Sequence, residues 1–161
     1  MEDSQDFLKV QEEMVELYQK AYEEMDDYYY KNSKDVFNYI EWLYNHNRDS
    51  ALIILAKKDN QIIGFIAGDT HYYDKDSSNY VMNIHELVVK KEFRGLGIAT
   101  QLIYEFINRS KQKNKEKDKK VNGVILWVGK NNQKALRLYT NLGFSVQYKT
   151  NKWIKMRMNI L

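Results

Sequence analysis

Two short stretches of the sequence hold residue types that could do chemistry. In "EFRGLGIATQLI" (92–103), Arg94 is followed by Gly95, by Gly97 and then by an apolar run at helical spacing, and the strand-like "VMNIHELVV" (81–89) precedes it. Strand, glycine turn and helix present unpaired backbone N–H groups and the positive end of a helix dipole, an arrangement that binds phosphate. The glycines remove the Cβ atoms that would hold a phosphate off those amides, and Arg94 adds a cation. No Gly-Lys-Ser/Thr follows, which excludes a Walker loop. Thr100 stands where a dinucleotide fingerprint needs its last glycine, which excludes that motif too. In "NNQKALRLYTNLGF" (131–144), Ala135, Leu138, Tyr139 and Leu142 recur at helical spacing, Gly143 sits at a left-handed C-cap and Phe144 at its apolar partner position. Periodicity alone makes Tyr139 a core residue.

The elements that must position these stretches follow from hydrophobic period. Apolar residues at helical spacing predict a helix from Gln5 to about Met25 and a second from Ser33 to Asn45, capped by Asn32 or Ser33. Two β-branched runs flank Lys58-Asp59-Asn60, which is hairpin chemistry. A strand at 79–89, a helix at 94–110, a strand at 121–129, a helix at 131–143 and two final strands complete the order ααββ–βαβαββ. This is an α/β (α+β) fold with a mixed, mostly antiparallel central sheet and flanking helices. The lysines of "RSKQKNKEKDKK" (109–120) alternate with period two, which on a helix scatters them around the axis. The tract reads as a fraying helix end and solvated loop, not a nucleic-acid site.

Composition narrows the function. A chain of 161 residues fits one domain, 1–161. No apolar run is long enough to cross a bilayer and no secretory signal is visible, so a cytoplasmic protein with no membrane partner is expected. The absence of cysteine excludes disulfides and a thiolate nucleophile, and His46, His71 and His85 lie too far apart in sequence to suggest a metal-ligand set. Charge is divided: residues 1–76 carry 17 acidic and 8 basic side chains, while the remainder carry 5 and 17. An anion held by the second half and a cation by the first would match this division.

Taken together, "RGLGIA" (94–99) and "NQKALRLYTNLGF" (132–144) resemble the two motifs of the GNAT superfamily of acetyl-CoA-dependent N-acetyltransferases, in the right order and with a strand between them. The likeness spans about residue 51 onward; the first 50 residues carry no such signature. It implies the GNAT-type acyl-CoA N-acyltransferase fold, with acetyl-CoA as cosubstrate. It further implies that the backbone of Arg94, Gly95, Leu96, Gly97, Ile98, Ala99 and Thr100 binds the pyrophosphate. Leu87, Val88 and Val89 would splay from the neighbouring strand to pair with the pantetheine arm and leave an oxyanion donor. Asn132 would touch the cofactor and Tyr139 would protonate the departing thiolate. Lys91 departs from the proline common at its position.

The reaction needs a base, because a primary amine near pKa 10.4 is mostly protonated at pH 7. Glu86 is the first candidate, in line with acidic residues in this part of the strand in polyamine-acetylating relatives; strand alternation places adjacent His85 on the opposite face. The acceptor is read as a small-molecule amine, polyamine or aminoglycoside-like cation, held by the carboxylates and rings of "EEMDDYYY" (23–30) and "GDTHYYDKD" (68–76). The alternatives are a protein N-terminus or lysine, against which Trp127 counts because a Glu or His often stands there in N-terminal acetylases, and a non-catalytic acyl-CoA-binding module. A homodimer is left open.

Overall fold

The computed structural model describes residues 4–25 and 30–160, the first three of them by backbone alone. Helices α1 (Ser4–Ala21) and α2 (Ser33–Asn45) precede strands β1 (Ala51–Lys58), β2 (Gln61–Asp74) and β3 (Asn79–Val89). Helix α3 (Ile98–Glu116), β4 (Gly123–Gly129), α4 (Gln133–Asn141), β5 (Ser145–Lys149) and β6 (Trp153–Asn159) follow, the expected order. The single sheet runs β1-β2-β3-β4-β6-β5 and is antiparallel except where β3 meets β4.

Local chemistry explains the boundaries. Asn32 caps α2 by accepting the Asp35 amide at 2.8 Å. Asp59 and Asn60 both take positive φ, which suits a two-residue hairpin whose twist matches its strands. Helix α1 stops at Ala21, four residues short of expectation. Helix α3 runs six residues past expectation, into the lysine tract. Its far end is anchored: Ser110 and Asn114 are buried, and Asn114 Nδ2 donates to the Thr70 carbonyl at 2.7 Å. One hydrogen bond to the sheet outweighs the lysines' indifference to a helical face.

Helix α3 packs on one side of the sheet around Phe106, Ile103 and Leu126, and α1 and α2 pack on the other around Met14, Ile40 and Phe65. Strand β2 therefore has almost no exposed stretch between Ile62 and Thr70. Gly68 is required there by close approach: a Cβ would stand 2.2 Å from the Asn83 carbonyl oxygen and 2.9 Å from the Phe106 ring. Gly68→Ala should lower stability by roughly 1–3 kcal/mol, since neither backbone nor packed ring can yield cheaply; urea unfolding of the two proteins checks this.

Candidate active site

Strand β3 pairs with β4 only at Met82–Ile84 against Val124–Leu126, and beyond Leu126 the two strands diverge. Residues 86–89 keep β2 on one side, and residues 85–89 have no strand partner on the other. Two clefts open at this divergence. One, of about 770 Å³, is lined by Leu87, Val88 and Val89 and by the turn into α3; the other, of about 740 Å³, lies between β3, β4, α1 and α2. They share six walls: Tyr22, Met25, Leu87, Asn132, Ala135 and Tyr139.

The first cleft has the makings of a phosphate and pantetheine site. Gly95 and Gly97 adopt φ of 77° and 83°, and a Cβ on either would meet nothing within 4 Å. Their glycine identity therefore answers the left-handed backbone and not crowding by neighbouring protein atoms. Gly97 opens α3 without a side-chain cap, and Gln101 N–H is the first bonded to its carbonyl. The amides of Ile98, Ala99 and Thr100 thus lie ahead of the intrahelical ladder, on the cleft wall. Lys134, which sequence reasoning passed over, adds a cation to this wall. Arg94 also lines it, but its Nε donates to the Val89 carbonyl at 2.9 Å and an Nη to that of Ala21 at 3.4 Å, so it braces the turn as well as bearing charge. Leu96 is the exception among the expected contacts: it does not line the cleft, and its side chain is 68% exposed. Asn132 caps α4 by accepting the Ala135 amide at 3.2 Å while lining both clefts.

Tyr139 sits at the junction. Its ring is edge-on to Phe144 at 5.8 Å, the core contact that periodicity predicts, while its hydroxyl makes no hydrogen bond among the described residues. Gly143 has φ of 102° and the Phe144 amide returns to the Tyr139 carbonyl at 3.0 Å, closing the helix as expected. Burial, and then the charge of Glu86, raise the phenol above its usual range.

Glu86 lies on the second cleft. Tyr22 donates a short hydrogen bond to one carboxyl oxygen and Tyr39 donates to the other at 3.1 Å. Burial pushes its pKa up to about 7, against the pull of the two tyrosines and the Leu87 amide. Both tyrosines are themselves held well above the phenol range, by burial and then by Glu86, and so remain donors. Neither tyrosine was legible as a partner, because α1 and α2 carry no site signature.

His85 shares that wall, contrary to simple alternation. Ala67 faces Glu86 but Gly68 faces Ile84, so β3 has one extra residue at a β-bulge and His85 has no partner on β2. The expected scatter of histidines is also corrected: His85 Nε2 stands 2.7 Å from Asp69 Oδ2, and His46 Nε2 is 2.9 Å from the same oxygen. These are hydrogen-bond distances; N and O ligands of one tetrahedral zinc would stand roughly 3.3 Å apart.

Among the described residues the expected acidic lining is not found. Asp26, Asp27, Tyr28 and Tyr29 lie outside the described residues. Asp69 is held by the two histidines, and Asp74 and Asp76 each take a 2.6 Å contact from Lys155 Nζ. Among the described residues Glu86 is the one carboxylate on the second cleft, whose other walls include Tyr18, Tyr30, Trp127 and Trp153.

Comparison with known proteins agrees with this geometry. The family model for the acetyltransferase (GNAT) family matches residues 12–144. An uncharacterized N-acetyltransferase of Methanocaldococcus jannaschii is 33% identical over 90% of this chain, which spans 61% of that relative's length. The crystal structure of PH1933 from Pyrococcus horikoshii superposes with a TM-score of 0.80 at 29% identity, covering 95% of this chain and 92% of the other. The PaiA N-acetyltransferase of Thermoplasma acidophilum, solved with coenzyme A, gives 0.72 at 18% identity, covering 95% and 94%, and shares the fold. The chain belongs to the GNAT family of acetyltransferases, whose cosubstrate is acetyl-CoA.

Glu86 has a consequence for stability. Its folded pKa of about 7 lies above the ordinary 4.5, so the folded state binds its proton more tightly than the unfolded chain. No penalty exists below about pH 4.5; it grows as pH rises and is complete above about 7. Glu86→Gln should therefore unfold at higher denaturant than the parent at pH 8, by an amount on the order of 1–3 kcal/mol, and the gap should close by pH 4. Denaturant midpoints across that range measure it.

Proposed function

We propose that the chain transfers the acetyl group of acetyl-CoA directly to the primary amine of a small molecule, the cosubstrate entering by the cleft at the turn into α3 and the acceptor by the cleft under α1 and α2. The observation that carries this reading is the meeting of the two clefts between Tyr139 and Glu86. One side of that junction offers a phenol held protonated; the other offers a carboxylate whose pKa lies near neutrality.

Glu86 accepts a proton from the amine as nitrogen attacks the thioester carbon, a role suited to a base with pKa near the working pH. The diverged edge of β3 near Leu87 supplies backbone donors for the carbonyl oxygen as negative charge develops there. Tyr139 gives its proton to sulfur as the C–S bond breaks. Direct transfer fits a chain without cysteine, which has no thiol to carry an acyl group.

The walls support one acceptor class. Among the described residues, one carboxylate amid several aromatic rings suits an amine with a single positive nitrogen on a planar or apolar body, with ring faces adding cation–π attraction. A polyamine needs further carboxylates at regular distance, and those of 68–76 are engaged elsewhere.

Thiol release from acetyl-CoA, measured against aryl and alkyl monoamines, polyamines, aminoglycosides and peptides with free N-termini, tests the reading. Monoamines with aromatic or apolar bodies should have the highest kcat/KM, with KM nearly independent of salt. A polyamine preference that fades with salt would restore the acidic lining, and activity confined to peptides would show the wrong acceptor class. Tyr139→Phe should lower kcat by roughly 10²–10⁴-fold at unchanged coenzyme A affinity. Wild-type kcat/KM should rise through about pH 7 as Glu86 ionises. Gly97→Ala should weaken coenzyme A binding by about tenfold or more in calorimetry, since a side chain at φ of 83° costs of order 1–2 kcal/mol in the productive turn.

A further inference from the structure

We propose that His85 is a second proton acceptor of the acceptor cleft, held by Asp69 and His46 in the tautomer that leaves Nδ1 as a base. The proposal rests on the acetyl-transfer reading above and adds a group which that reading does not use.

Three observations carry it. The first is the bulge on β3, which sets His85 and Glu86 on one cleft wall where a regular strand would separate them. The second is the set of partners around Asp69. Its carboxylate, 3% exposed, receives Ser50 Oγ at 2.7 Å, His46 Nε2 at 2.9 and 3.0 Å, and His85 Nε2 at 2.7 Å. Burial alone would raise its pKa, yet hydrogen bonds from His85, His46 and Ser50 hold it at about 2, so it is ionised and only accepts. Each neighbour therefore donates, and His85 carries its hydrogen on Nε2. In the neutral ring Nδ1 then keeps the lone pair, and it has no hydrogen-bond partner among the described residues. His85 itself lines the cleft, while Asp69 and His46 stand behind it.

The third observation is His46. Its Nδ1 stands 2.8 Å from the Trp42 carbonyl and its Nε2 faces Asp69, so both ring nitrogens meet acceptors. The ring lies at the C-terminal end of α2, stacked on the Trp42 ring at 4.0 Å, and so holds Asp69 from the side away from His85 Nδ1. Glu86, Tyr22 and Tyr39 are the other titratable groups grouped on this side of the cleft.

The chemistry has a place for two acceptors. An ammonium substrate loses two protons from nitrogen in becoming an amide, while the thiolate gains one and one is released overall. His85 Nδ1 takes the first, giving the free amine. That amine attacks the thioester carbon, and Glu86 takes the second as the C–N bond forms. Tyr139 protonates sulfur as the C–S bond breaks; the proton on Glu86 restores Tyr139, and that on His85 goes to solvent. Asp69 and His46 are positioning residues in this scheme.

The test joins a spectrum to kinetics. Long-range ¹H–¹⁵N correlation of the histidine-labelled full chain with coenzyme A bound should show His85 protonated at Nε2 and bare at Nδ1. Asp69→Asn should redistribute the His85 tautomers and lower kcat roughly 10-fold or more, with KM for acetyl-CoA unchanged. His85→Gln should lower kcat by roughly 10²-fold, again without loss of coenzyme A affinity, which doubles as the check on folding. A hydrogen on His85 Nδ1 in the parent protein overturns the proposal. So does His85→Gln activity equal to the parent where Glu86→Gln is impaired, a result that leaves the acetyl-transfer reading standing. If no amine is turned over, that reading fails instead, and the tautomer spectrum still decides the arrangement of His85.

Discussion

The site depends on β3 leaving β4 early. Parallel pairing confined to three residues on each strand leaves the backbone of residues 85–89 without a neighbour on one side, inside a sheet whose other strands are paired. Buried backbone donors and acceptors without partners are costly, so this gap persists because the clefts admit solvent or ligand to it. The same divergence makes room for Tyr139 to rise from α4 and for Glu86 to look out between α1 and α2. Both clefts and the unpaired backbone between them are thus consequences of one interrupted ladder.

Around that gap the chain divides its labour by position. The turn into α3 and the cap of α4 present amides, an arrangement that serves any ligand with phosphate and a polar arm. The two N-terminal helices bring tyrosines down onto Glu86. Their hydroxyls favour its ionised form, while the burial they help to create opposes it, and the balance leaves the carboxyl near neutrality. A carboxyl placed this way costs the fold some stability once it ionises, the usual relation between a buried charge and the fold around it.

Most of the architecture was legible because its causes are local. Apolar period, the Asp59-Asn60 turn and the Asn32 and Gly143 caps each fix an element within a few residues of sequence. The phosphate turn and the Tyr139 helix were legible for the same reason. What escaped involves long-range register. One extra residue at Ala67/Gly68 against Ile84/Glu86 moves His85 onto the face of Glu86, and nothing in "NIHELVV" announces it. The partners of Glu86 lie 64 and 47 positions away, on helices whose period speaks only of burial. The acidic half misled for a related reason: counting carboxylates says nothing about which are already paired, and Asp69, Asp74 and Asp76 are.

Lys155 shows what such a long-range pair implies for the order of assembly. Its ammonium, 3% exposed, meets Asp74 and Asp76 at 2.6 Å across 81 and 79 positions of chain. During synthesis the β2–β3 hairpin emerges well before β6, so Asp74 must stay hydrated until its counterion arrives, and the near end of the hairpin cannot close against the sheet until then. The nascent chain can assemble α1, α2, β1 and the middle of β2 early, but the hairpin tip waits for the last strand. Completion of the sheet and neutralisation of that carboxylate thus both require β6.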